Sequence, residues 1–168
     1  AENLAPLVTL VGAMAAMDAP PRAFVRSGSL AEYGAGPLAF TEAHREEPHN
    51  AYAASCLSGT QFVAAARARL PVPAVTARLG LTYGPTQSED FLIPSLIDHC
   101  LRGEPIDVKR PADRRDLVYV SDVVDALLRI AECPGDVGTV VNVATGDAPT
   151  MRTVADIVVA ATGAPPGL

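Results

Sequence analysis

The chain alternates between short apolar runs and longer stretches with helical spacing of apolar positions. Residues 4–17 are apolar and alanine-rich, which predicts a buried helix, with Pro6 tolerable in its first turn and Pro20-Pro21 ending it. Residues 23–26 predict a short strand, followed by Ser27-Gly28-Ser29, small residues that let the backbone approach a ligand closely. A loop rich in glycine, proline and acidic residues runs to Asn50. Residues 52–69 predict a helix stopped by Pro71 and Pro73, and residues 74–79 a buried strand.

The same rhythm continues. Tyr83-Gly84-Pro85 predicts a turn, and residues 91–101 a helix closed by Gly103. Residues 117–120 predict a strand, after which Ser121 or Asp122 can cap a helix running to about Glu132. Residues 140–143 predict another strand. Thr150 caps a last helix through Ala161, which Gly163 ends. Strands alternating with helices of ten or more residues predict an α/β fold with a mainly parallel sheet.

Composition narrows the function classes. At 168 residues and 49% hydrophobic residues, the chain is long and apolar enough for a core, which excludes general disorder. A net charge of −6, with scattered lysines and arginines, argues against nucleic acid or an anionic membrane as main partner. No apolar run reaches the length of a spanning helix, and the start lacks the basic flank of a signal peptide. Cys56, Cys100 and Cys133 are odd in number and widely separated, predicting neither a disulfide framework nor a zinc site and favouring a reducing, cytoplasmic compartment. His44, His49 and His99 lack metal-ligand spacing, so no metal is expected.

Five stretches in order, FVRSGSLAEYG, NAYAASC, ARLGLTYGP, RDLVYVSDVVDAL and NVATGDAPTMRTVADIV, resemble the extended short-chain dehydrogenase/reductases, the NAD-dependent epimerase/dehydratase family. The resemblance covers nearly the whole chain, from about Asn3 to Gly163. It implies a Rossmann-like, mainly parallel sheet with flanking helices, lacking the N-terminal glycine-rich βαβ unit. Residues 1–80 would be the C-terminal half of the Rossmann-like domain, and residues 81–168 a partial substrate-binding region whose strands and helices return to the sheet. It further implies NAD or NADP as cofactor, though binding by this chain alone is not expected. A nucleotide-sugar substrate and a homodimer through helices 4–17 and 52–69 complete the picture.

The chemistry requires one side chain to handle the proton on the carbon-bound oxygen while hydride moves. An unshifted phenol costs roughly 4 kcal/mol to hold ionised at pH 7, so its pKa must be lowered. By resemblance Tyr52 is that residue and Ser29 its partner; read alone, they are a helix-start tyrosine and a strand-end turn serine. Asn3, Ser27, Tyr52 and Cys56 align with cofactor-contacting positions, and Leu81, Tyr83 and Arg115 with substrate-contacting ones. Three departures stand out. Cys56 takes the place of the family lysine, Leu81 the place of an asparagine that meets the substrate diphosphate, and no strand–GxxGxxG–helix unit is present.

Ser29-Leu30-Ala31 lacks the acid–base pair of the dehydratases, and Ala31 the glutamate of the decarboxylating members. That leaves epimerase or 4-ketoreductase chemistry. The alternative is a catalytically inactive paralogue that binds nucleotide sugar or serves as a dimerisation module. Arg115 reads equally as a phosphate ligand or as the partner of Asp113 or Asp116. Asp122 reads as a helix cap. Glu42 reads as an acidic loop residue near substrate or as a solvated side chain.

Overall fold

A computed structural model describes residues 3–36, 39–105 and 107–165. Helix α1 (Ala5–Ala15) carries proline in its first turn and buries Leu7, Val11 and Met14, one face at helical spacing. These pack on Val63 and Ala74. The expected burial of this helix is confined to that face, since Val8 and Leu10 on its flanks are 44% and 50% exposed.

Strand β1 (Phe24–Ser29) is longer than its apolar run predicted. Ser27, Gly28 and Ser29 belong to it because each pairs in parallel register with β2 (Ala74–Leu79), ending at Ser29 opposite Leu79. Strand β2 is central and five of its six residues are buried, as a strand covered on both faces requires. Its other neighbour is β5 (Val140–Val143), again parallel, with Leu79 opposite Val143. The carboxyl ends of β1, β2 and β5 therefore come together, which is where parallel α/β sheets bind ligands.

Helix α2 (Ala51–Ala66) lies with α1 on one face of this sheet, its first turn capped by Asn50 Oδ1 accepting from the Ala53 amide. A short 3₁₀ turn, Arg67–Arg69, follows it. Helix α4 (Val120–Glu132) covers the other face through Val123 and Ile130, packed with Val75, Ala77 and Val143. Neither Ser121 nor Asp122 caps it. Strand β4 (Leu117–Tyr119) runs into the helix without a loop, so its cap position falls on Tyr119 with no side-chain bond.

A second layer holds the remaining elements. Strand β3 (Leu81–Tyr83) pairs in parallel with β4, so Tyr83 lies in a strand and not in the expected turn. Helices α3 (Leu92–Arg102) and α5 (Met151–Thr162) pack through Leu96, Cys100, Met151, Val154 and Val158. Both end at left-handed glycines, Gly103 (φ 68°) and Gly163 (φ 71°), and Thr150 caps α5 through the Thr153 amide.

Candidate active site

A cavity of about 1730 Å³ opens at the carboxyl ends of the strands. Asn3, Ser27, Ser29, Tyr52, Cys56, Leu81 and Arg115 all line it, so the structure brings together all but one of the residues singled out from sequence. Tyr83 is not in its lining; its ring packs edge-on against Tyr119 with centroids 5.5 Å apart. Asn3 donates through Nδ2 to Ser55 Oγ at 2.8 Å, tying the start of α1 to α2. Asp122 instead faces a smaller cavity of about 420 Å³, beside Arg129 and Asn142.

One wall is built by β1 and α2. Tyr52 lies one turn before Cys56 on α2 and is 58% exposed. Partial burial is still the largest influence on the phenol and pushes its pKa up; the neighbouring Cys56 pushes it further, and the nearby Ser29 pulls it back. The net effect of these neighbours is to disfavour the phenolate, the reverse of what a neighbouring lysine would do.

Ser29 is the cap of a 3₁₀ turn, Leu30–Tyr33, that follows β1 directly. Its Oγ accepts from the Ala31 amide and its own amide donates to Glu32 Oε1, both at 3.1 Å. This reciprocal capping box leaves the hydroxyl proton free for a third partner.

Behind this wall lies a charged network that the sequence reading did not single out. Glu32 and Arg78 are both 0% exposed, and Arg78 Nε donates to Glu32 Oε2 at 2.8 Å. Thr60 on α2 donates to the same oxygen at 2.8 Å. Arg78 also reaches Glu46 at 2.6 Å and lies over the Tyr33 ring, 4.5 Å from its centroid. Burial alone would weaken the Arg78 charge, but Glu46, Tyr33 and Glu32 together hold its pKa above the ordinary arginine value. Arg26 on β1 donates to the Cys56 carbonyl at 3.0 Å and to Thr60 Oγ1 at 3.1 Å. Its guanidinium lies flat on Gly59, where an added Cβ would come within 2.7 Å of Cζ. That contact explains a glycine in mid-helix, otherwise costly by about 1 kcal/mol. The available signal was a charged residue at an inward position of an apolar strand, in FVRSGS and in AVTARL.

The opposite wall comes from β3, β4 and the loop before α5. Leu81 is 44% exposed and offers the cavity only an apolar surface. Arg115 donates to Asp113 Oδ2 and its side chain is 50% exposed; Arg110 and Arg114 line the same rim. Asp116 pairs with no arginine among the described residues. Its carboxylate accepts from the amides of Thr145 and Gly146 and from the Thr145 hydroxyl, each at 2.8 Å, and so fixes the loop after β5. Glu42 also faces the cavity and accepts from the Asn142 amide at 2.7 Å. Among the described residues no group of histidine, cysteine or carboxylate side chains is placed to hold a metal ion, and no helix is long and apolar enough to cross a membrane. All three cysteines are free thiols.

The sequence model of the NAD dependent epimerase/dehydratase family matches residues 1–144. The chain belongs to this family. A dTDP-glucose 4,6-dehydratase of Xanthomonas campestris is 33% identical over 117 residues, 69% of this chain and 32% of that protein. A dTDP-6-deoxy-L-talose 4-dehydrogenase (NAD(P)(+)) of Kitasatospora kifunensis is 28% identical over 93% of this chain and 51% of its own length. Among solved structures, the UDP-glucose 4-epimerase of Thermus thermophilus in complex with NAD superposes with a TM-score of 0.83 at 26% identity, covering 98% of this chain and 55% of that one. The chain thus spans about a third to a half of the length of these relatives. The α/β fold with parallel sheets and flanking helices is the Rossmann-like fold of the family.

Against the family's cofactor, the residues present fit one end. Ser27, Ser29 and Tyr52 all line the cavity at the carboxyl edge of the sheet and carry hydroxyls of the kind that could meet the nicotinamide end. No glycine-rich turn leads into a helix N-terminus among the described residues, so none of them offers the usual cradle for the pyrophosphate.

Proposed function

We propose that this family member acts on a nucleotide sugar as an NAD(P)-dependent epimerase or 4-ketoreductase, with Ser29 and Tyr52 as its proton relay. The observation that carries the reading is that Ser29 and Tyr52 line one cavity at the carboxyl end of β1, where the serine partly offsets the effect of burial on the phenol. The bound nicotinamide would supply or accept the hydride. Ser29 would orient the substrate oxygen, and Tyr52 would give or take the proton at that oxygen. Arg115, with Arg110 and Arg114 on the same rim, would receive the diphosphate. The exposed apolar side chain of Val8 on α1 supports a homodimer through α1 and α2.

The absence of dehydratase carboxylates after Ser29 separates this reading from 4,6-dehydration. Leu30 and Ala31 follow the serine, and neither can shuttle a second proton. Cys56 favours a second reading, a catalytically inactive paralogue that retains nucleotide-sugar binding. A thiol supplies no fixed positive charge to Tyr52, and Arg26, the nearby cation, spends its hydrogen bonds on the Cys56 carbonyl and Thr60.

The deciding experiment uses the full-length protein, nucleotide sugars and NAD(P). Hydride transfer, read by nicotinamide absorbance, is expected in the unaltered protein and lost in Tyr52→Phe and Ser29→Ala while sugar binding persists. Binding without transfer in all three proteins would favour the inactive paralogue. Transfer unaffected by Tyr52→Phe would reject the relay.

A further inference from the structure

Glu32 stands between Ala31 and Tyr33 and is 0% exposed, although it carries a carboxylate. Both of its oxygens are engaged. Oε1 accepts from the Ser29 amide at 3.1 Å; Oε2 accepts from Thr60 and from Arg78, each at 2.8 Å. Ser29 belongs to β1, Thr60 to α2 and Arg78 to β2. One carboxylate therefore ties the strand that carries Ser29 to the helix that carries Tyr52.

We propose that Glu32 is the positioning residue of the Ser29–Tyr52 pair, holding the serine backbone so that its hydroxyl faces the phenol. The inference rests on the reading of that pair as the reacting groups and names the device that sets it. The capping box fixes the serine twice, through its amide on Glu32 and through its Oγ on the Ala31 amide. With one lone pair spent on Ala31, the hydroxyl turns its proton and remaining lone pair elsewhere. The carboxylate cannot drift, because Arg78 and Thr60 clamp its other oxygen from two different elements. Gly28 is part of the arrangement: a Cβ there would lie 2.6 Å from Glu32 Oε1 and 2.8 Å from Thr76 Cγ2. Only a residue without a side chain lets the carboxylate reach back to the strand.

Charge and hydrogen bonding from this residue act on Tyr52 in opposite directions, which makes them separable. The groups acting on the phenol are Cys56 from α2, Ser29 from β1 and Glu32 from the 3₁₀ turn. Flanking the carboxylate are Arg26 and Arg78, with Glu46 beyond. The negative charge of Glu32 opposes ionisation of Tyr52, whereas Ser29, which Glu32 positions, favours it. Glutamine removes the charge but keeps an oxygen for the Ser29 amide; alanine removes both.

The test labels the full-length protein with tyrosine carrying ¹³C at Cζ and titrates it without cofactor or substrate, assigning Tyr52 by its loss in Tyr52→Phe. Tyr52 should titrate at lower pH in Glu32→Gln than in the unaltered protein, and at higher pH in Glu32→Ala than in Glu32→Gln. In a Ser29→Ala background the glutamine and alanine forms should coincide. Equal titration of the two variants with Ser29 present would overturn the proposal, as would a difference between them that survives loss of Ser29. Should Glu32→Ala fail to fold, amide exchange at Ser29 in the unaltered and Glu32→Gln proteins decides. Slow exchange in both is expected, and fast exchange in the unaltered protein overturns the positioning role. Because no turnover is measured, a failed hydride-transfer assay would reject the relay without deciding this coupling, so the two failures remain distinguishable.

Discussion

The two walls of the cavity use the same side chains in opposite ways. On the β1–α2 wall, Arg78 and Glu32 meet at 2.8 Å with no exposure on either side chain. On the facing wall, Arg115 meets Asp113 at 3.0 Å with side chains 50% and 35% exposed. Geometry hardly differs; the dielectric does. A buried pair is retained because breaking it strands a charge away from water, while an exposed pair is screened and replaced by hydration. The first wall is therefore held by a buried ion pair behind the Ser29 and Tyr52 that the proposed relay uses. The second is an open rim of Arg110, Arg114 and Arg115, which the proposed function would use for the ligand's diphosphate.

The largest expected effect breaks the buried side of this contrast. Arg78→Ala leaves Glu32 without its cation and should destabilise the protein by about 3–5 kcal/mol in chemical denaturation. A loss under about 1 kcal/mol would mean that water already reaches the pair and the walls are alike. Next comes Asp116, whose carboxylate closes the loop after β5 through three hydrogen bonds. Asp116→Ala should cost about 1–3 kcal/mol and speed amide exchange at Thr145 and Gly146. Unchanged exchange there would reject the loop-fixing role.

Acid sharpens the comparison further. Burial pushes the Glu46 carboxyl up, but Arg78 and a backbone hydrogen bond outweigh it, so its pKa lies below the ordinary glutamate value. A depressed pKa stabilises the fold above the unfolded carboxylate range, and that contribution disappears as pH falls through the folded value. Glu46→Gln should therefore flatten part of the acid limb of a stability–pH curve. An unaltered limb would show that Arg78 does not lean on Glu46. The smallest effect belongs to the exposed pair: Asp113→Ala should change stability by less than about 1 kcal/mol. By freeing Arg115 it should tighten binding of a nucleoside diphosphate sugar, and weaker binding would instead make Asp113 part of the ligand site.

These contrasts also explain what could be read in the chain. Helix ends were legible where a local rule decides them. Gly103 and Gly163 supply the left-handed conformation, and Thr150 the cap. Strand β1 was cut short at Arg26 because Ser27, Gly28 and Ser29 have weak strand propensity; their pairing with Ala77, Arg78 and Leu79 overrides it. The start of α4 was misjudged because Ser121 looks like a cap, although Val120 already lies in the helix. At the site, the ordered motifs of the family named Ser29, Tyr52 and Cys56, and the fold brings these three to one cavity. Glu32 and Thr60 were not legible, since their burial depends on Gly28 and Arg78 arriving from distant parts of the chain.

The central claim, that Ser29 and Tyr52 form a proton relay weakened by the thiol at position 56, is tested most directly by Cys56→Lys in the full-length protein. Hydride transfer between nucleotide sugar and NAD(P) would be followed as a function of pH in both forms. A lysine one turn from Tyr52 replaces a group that raises the phenol with a cation that lowers it. The predicted result is faster transfer with the basic limb of the pH–rate profile moved to lower pH. A cysteine form already as fast as the lysine form, with the same profile, would contradict the account and place the needed charge elsewhere.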